Sequence, residues 1–177
     1  MSRKISLKAV AIVMGSLLIF STGIHFLRTY QVSRNALALL AQADRAREEE
    51  DFVKELRYLQ SYLSLARHDK EPRARFALLL CDLARNSRER ARGYFAVEEA
   101  LRLSPDDAPL RRRAVTMSLA LGRPSDAMFH LQVLLEQSGQ MDADVMEAMG
   151  NVESKRQAWV KANSWYEKSV KQDPKRI

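Results

Sequence analysis

From residue 35 onward, apolar positions recur every three to four residues, in segments of about 13–17 residues separated by short polar breaks. That spacing predicts amphipathic helices, and no stretch shows the sustained alternation of a strand. The breaks carry residues that stop or start helices: Pro72, Pro105-Asp106-Asp107, Gly122-Arg123-Pro124, Gly139 and Asp173-Pro174. The N-terminal region reads differently. Between Lys8 and Arg28 lie 19 residues, AVAIVMGSLLIFSTGIHFL, without Asp, Glu, Lys or Arg. As a helix rising ~1.5 Å per residue they would extend about 28 Å, close to the thickness of a hydrocarbon core. No small-x-small cleavage pattern follows at Ile24-His25-Phe26-Leu27-Arg28, so the expectation is an uncleaved signal-anchor. A secreted or periplasmic module with a cleaved leader is the alternative. Arg3, Lys4 and Lys8 on one flank oppose Arg28 and Arg34 on the other, which favours a cytoplasmic N-terminus and a body on the outer or periplasmic side of a single-pass membrane protein. The expected parts are a basic flank (1–8), a transmembrane helix in contact with the lipid bilayer (9–28), a juxtamembrane linker (29–35) and a helical body (36–176).

The body repeats. Small or tightly placed residues fall at Ala43, Cys81, Val115 and Gly150, spaced 38, 34 and 35 apart, and a second series falls at Gly93, Ala127 and Ala162, spaced 34 and 35 apart. Larger apolar residues follow the second series at Val97, Leu131 and Tyr166, with Leu59 in the matching place of the first segment. The physical reason is packing. A pair of antiparallel helices cannot bury both apolar faces alone, small residues let the axes approach, and larger ones fill the groove against the next pair. These residues resemble the tetratricopeptide repeat (TPR), a helix–turn–helix unit patterned W-x2-L-G-x2-Y in helix A and A-x3-F-x2-A-L in helix B, with a Pro at the exit. Residues 143–176 match best, with Met146-x2-Met149-Gly150, Ala162-x3-Tyr166 and Pro174. Residues 108–142 show Leu121-Gly122-Arg123-Pro124 before Ala127, and residues 74–107 show Ala100-Leu101-Arg102-Leu103-Ser104-Pro105. Residues 36–69 are the most degenerate, with Glu55 where a small residue is expected. The resemblance implies an all-α fold, an α-solenoid of about four helix–turn–helix units behind the N-terminal helix.

Charge sharpens this picture. Lys plus Arg is 29 and Asp plus Glu 22, a formal net of +7, but residues 1–34 hold five basic residues and no acid, which leaves the rest nearly balanced. A balanced body argues against nucleic-acid binding, which needs a concentrated basic face. Within it, residues 72–113 carry ten Arg against six acids, whereas residues 126–154 carry six acids and no Lys or Arg. Candidate chemistry is sparse. One cysteine, Cys81, excludes an intrachain disulfide and reads as a small buried hydrophobe. The three His are scattered, no metal-ligand spacing occurs, and Glu48-Glu49-Glu50-Asp51 reads as a solvated turn. No catalytic, cofactor or metal residue is expected, and the chain is not expected to be an enzyme.

What remains is binding. In proteins of the resembled family the A helices line a groove that meets extended peptides. Mapped here, that implies Arg75, Leu78, Asp82 and Arg85 from the second unit, Arg112, Arg113 and Thr116 from the third, and Asp144, Glu147 and Asn151 from the fourth. Some members clamp a C-terminal carboxylate with Lys and Asn; Leu40 and Asp44 stand at the corresponding positions, so that clamp is not expected. The functional expectation is a membrane-anchored protein–protein interaction scaffold whose groove is basic at one end and acidic at the other, with protein partners, no nucleic acid, and self-association through an uncapped last repeat. The N-terminal regulatory part of a longer membrane enzyme is the remaining alternative.

Overall fold

A computed structural model describes residues 7–139 and 142–174. Eight helices account for most of them: α1 (Leu7–Glu48), α2 (Phe52–Leu65), α3 (Lys70–Asp82), α4 (Ser87–Leu103), α5 (Ala108–Ala120), α6 (Pro124–Gln137), α7 (Ala143–Lys155) and α8 (Trp159–Gln172). No strand occurs among the described residues. The chain divides into two compact units, Met1–Ala66 and Arg67–Ile177.

Helix starts are set locally. Asp51, Asn86, Asp107 and Asp142 cap α2, α4, α5 and α7, each accepting a hydrogen bond from the backbone N–H three residues on. Such a side chain satisfies one of the donors that the first helical turn leaves unpaired, a contribution of ~1 kcal/mol. Pro109 and Pro124 occupy the first turns of α5 and α6, where no backbone N–H is needed. Gly122 and Gly139 end α5 and α6 with φ of +69° and +64°, the left-handed conformation that glycine adopts without strain.

In the first unit, α1 turns back into α2 at residues 48–51. Ala36, Ala43 and Ala46 of α1 and Leu59, Tyr62 and Leu63 of α2 are buried. Glu55 is also buried. The degenerate position thus carries a carboxylate where the other units carry a small side chain.

The second unit holds three helix pairs in a row: α3–α4, α5–α6 and α7–α8. Ala77 and Cys81 of α3, Tyr94, Val97, Ala100 and Leu101 of α4, and Leu110, Ala114 and Met117 of α5 make one apolar cluster. Val115 of α5, Ala127, Met128, Leu131 and Leu134 of α6, and Val145, Met149 and Val152 of α7 make the next, with Trp165 of α8 packed against it. Helix α5 contributes to both, so each cluster is built by one pair and the helix that follows it. Close approach within a pair depends on glycine. A Cβ on Gly93 would lie 2.9 Å from Cys81 Sγ, and one on Gly150 would lie 2.5 Å from the Tyr166 ring.

The expected membrane placement of the N-terminus needs correction. Among the described residues no helix is long and apolar enough to cross a membrane. Residues 9–28 are part of α1, which continues without a break into a segment bearing Arg34, Asp44, Arg45 and Arg47. The single-pass membrane placement, the lipid contact through 9–28 and the assignment of the body to an outer or periplasmic side are therefore set aside. The linker expected at 29–35 is helical, because α1 is unbroken from Leu7 to Glu48. Most of the basic flank at 1–8 lies outside the described residues.

Candidate partner-binding face

Helices α3, α5 and α7 are the first members of the three pairs in the second unit, and ion pairs join them side by side. Arg113 of α5 lies 2.6 Å from Asp82 at the end of α3. Arg112 of α5 donates to Asp142, the cap of α7, at 2.7 Å. Of the residues expected to line a groove, the structure brings Asp82 to Arg113 directly, and sets Arg112 and Asp144 on the rim of one cleft. Thr116 is exposed, and its hydroxyl donates to the Arg112 carbonyl one turn back (3.2 Å). Asn151 accepts a hydrogen bond from the Tyr166 hydroxyl of α8 at 2.9 Å, which ties it to its own pair. Leu78 packs against the first apolar cluster and is half-buried, as is Arg75. Arg85 lies beyond the end of α3, where its backbone N–H donates to the Glu89 carboxylate (2.7 Å). Asp144 and Glu147 are exposed on α7.

The sign pattern read from the sequence is therefore modified by geometry. Arg112 and Arg113, two of the cations expected to meet an acidic partner, already face carboxylates of neighbouring helices. Both pairs keep solvent contact, so each stabilises by no more than ~1 kcal/mol and salt screens it.

Between α5, α6 and α7 lies a cleft of about 180 Å³. Val115, Leu131, Leu134, Val145 and Ala148 form its apolar lining, and Arg112 and Asp144 also border it. Sequence reasoning missed this feature. Its apolar residues sit at helical spacing and read as core, and only the placement of α7 against α5 and α6 shows that they also border an opening.

Cys81 is buried against Gly93, and burial pushes its thiol up to about 11, away from the thiolate that a nucleophile needs. Among the described residues no group of His, Cys, Asp or Glu could hold a metal ion. His130 is 2% exposed, with Nε2 2.9 Å from Glu98 Oε1, and burial outweighs that carboxylate and lowers its pKa.

Stacked helix pairs with small residues at the crossings and side-by-side first helices define the class: the fold is that of tetratricopeptide-repeat proteins. Among solved structures, MamA protein is 16% identical at a TM-score of 0.68, covering 80% of this chain and 75% of that one. YrrB, described as a TPR protein with an unusual peptide-binding site, is 14% identical at 0.68, covering 96% and 82%. TTC0263, a thermophilic TPR protein of Thermus thermophilus, is 15% identical at 0.54, covering 90% and 89%. At these identities the likeness is one of fold. No family model matches the chain, and no curated protein matches it.

Proposed function

We propose that this chain is a protein-interaction module that holds an extended segment of a partner along the α3–α5–α7 face and seats one of its apolar side chains in the α5–α6–α7 cleft. The observation that carries the reading is the cleft itself, apolar inside and bordered by Arg112 and Asp144. An apolar lining supplies affinity by burial, ~25 cal/mol per Å², and the two opposite charges orient a polar backbone or charged flank. The proposed contact set is Arg75, Leu78, Asp82, Arg85, Arg112, Arg113, Thr116, Asp144, Glu147 and Asn151, extended by Val115, Val145 and Ala148. YrrB, with its peptide-binding site, is a precedent for the fold in this role.

A peptide array tests it: extended peptides with a single Leu, Met or Phe at varied positions, flanked by acidic or basic residues. Binders are to be retained by the wild-type chain and weakened at least tenfold by Ala148→Trp, which fills the cleft. Arg112→Glu is to shift the preferred flanking charge. Binding that survives Ala148→Trp unchanged, in a chain with intact helicity, removes the cleft from the account.

A further inference from the structure

On the side formed by the second helices, α4 presents Arg88, Arg92, Phe95, Glu99 and Arg102, spaced by four, three, four and three residues, and every one of them is exposed. That spacing is a single helical stripe. Displaced by 34 residues, α6 presents the equivalent stripe: Gly122 at its entry, then Asp126, Phe129, Val133 and Glu136. Phe129 and Glu136 are exposed, and Asp126 and Val133 are half-exposed. The two stripes share a geometry and differ in sign. The α4 stripe has three arginines against Glu99, whose carboxylate is held by Arg73 at 2.7 Å. The α6 stripe has two acids: Asp126, whose carboxylate is already held by Arg123 at the start of the helix (2.6 Å), and Glu136. The phenylalanines occupy the same place in each, 64% and 57% exposed. These two exposed rings are the apolar part of a face that is otherwise charged.

The two helices are neighbours through their rings. Phe95 meets Tyr94 edge-on at 5.8 Å, Tyr94 meets His130 at 6.4 Å, and His130 meets Phe129 at 5.4 Å. Tyr94 also donates to Asp126 at 3.4 Å. The aromatic run therefore crosses from one stripe to the other over a buried, ordered floor.

We infer that this face is self-complementary and pairs with a second copy of the chain. A two-fold axis lying between α4 and α6, along their length, sets each α4 on the other copy's α6 with the helices running in the same direction. The 34-residue offset then fixes the register: Arg92 faces Asp126 of the second copy, Phe95 faces its Phe129, and Arg102 faces its Glu136. Each contact occurs twice, as an isologous interface requires. The patch discriminates against other occupants. An acidic peptide or a nucleic-acid backbone satisfies the α4 arginines but meets Glu136 of α6 with like charge, whereas a second copy sets Arg102 against Glu136 twice. The stripe from residue 88 to 102 is ~21 Å long at ~1.5 Å per residue, so the contact is small for a dimer and the association weak and salt-dependent.

Sedimentation equilibrium of the full chain across concentration and salt tests the pairing. The wild-type chain is expected to show a monomer–dimer equilibrium that weakens in high salt. Arg102→Glu and Glu136→Arg, each alone, place like charges opposite one another twice and are expected to weaken it at least tenfold. In a mixed dimer of these two variants, position 102 of each copy meets a charge of opposite sign at position 136 of the other. An equal mixture is therefore expected to associate where neither variant does alone. Phe95→Ala combined with Phe129→Ala is expected to abolish pairing with helicity unchanged. Trp159→Ser with Val160→Ser, on the open side of α8, is expected to leave it intact. A chain that is monomeric throughout, a mixture that fails to associate, or an oligomer lost in the α8 variant and retained in the phenylalanine variant overturns the inference.

Discussion

His130 shows how one residue couples burial to pH. It is enclosed by α4, α5 and α6, and the charged groups facing it are Glu98 of α4, Arg111 of α5 and Asp126 of its own helix. Burial lowers its pKa despite Glu98 and Asp126, so the imidazole is neutral in the folded chain at pH 7. In the unfolded chain it titrates near its ordinary value of about 6.5. Below that pH the unfolded state binds a proton that the folded state resists, and stability falls until the folded-state pKa is passed. The urea midpoint is therefore expected to drop between pH 7.5 and 5, and more steeply in the wild-type chain than in His130→Gln. Equal slopes in the two proteins would show that the acid sensitivity belongs to other groups. Cys81 makes the complementary point. With its thiol raised to about 11, alkylation by iodoacetamide at pH 8 is expected to be slow in the folded chain and fast in urea.

Among the elements, the pairs depend on how closely their axes approach. Gly93 of α4 lies against Cys81 of α3, and a methyl group added there meets Sγ and the Cys81 backbone at 2.9–3.3 Å. Backbone cannot yield as a flexible side chain can, so Gly93→Ala is expected to destabilise by ~1–3 kcal/mol, although alanine is the better helix former. Gly122→Ala fails for another reason. Nothing lies within 4 Å of the added Cβ, but φ is +69°, and a cost of about 1 kcal/mol is expected from backbone strain alone. Leu110, fully buried between α3, α4 and α5, is the position where truncation leaves a cavity, and Leu110→Ala is expected to cost ~2–5 kcal/mol. Chemical denaturation of the three variants ranks them. If Gly93→Ala proved the mildest, with stability unchanged, the close contact between α3 and α4 would not be what the small residue serves.

In the whole molecule, the two compact units have different means of support. The second stacks three helix pairs, and each apolar cluster takes residues from one pair and from the first helix of the next. Repeat arrays draw their stability from such shared interfaces. A fragment covering residues 67–177 is accordingly expected to be helical and to melt cooperatively by circular dichroism. A fragment that is unfolded, or melts without a transition, would mean that the first unit is needed to hold the array together. The unit also has two faces of different chemical character. Helices α5 and α7, with Leu131 and Leu134 of α6, border an apolar cleft beside Arg112 and Asp144, and the outward sides of α4 and α6 carry the charged stripes. Substitutions on one face should leave the binding measured on the other unchanged.

How much was legible in advance follows from the reach of each interaction. Helix breaks at Pro105-Asp106-Asp107 and Gly122-Arg123-Pro124, caps such as Asp142, and the spacing of Gly93, Ala127 and Ala162 are local features, because capping and helical periodicity act within a few residues. The all-α repeat was therefore written in the order of the amino acids. The apolar run at 9–28 pointed to a membrane span, whereas no helix among the described residues is long and apolar enough to cross a membrane. The pairing of two of the expected groove charges was hidden in the sequence. Arg112 and Arg113 look like free cations until Asp142 and Asp82, each about thirty residues away along the chain, are brought alongside. Val115, Leu131 and Val145 likewise read as core until α7 is placed and leaves them bordering a cleft. Periodicity and capping chemistry thus determined the helices and their repetition, whereas which charges cancel, and which apolar residues face an opening, was decided only when helices distant in sequence came together.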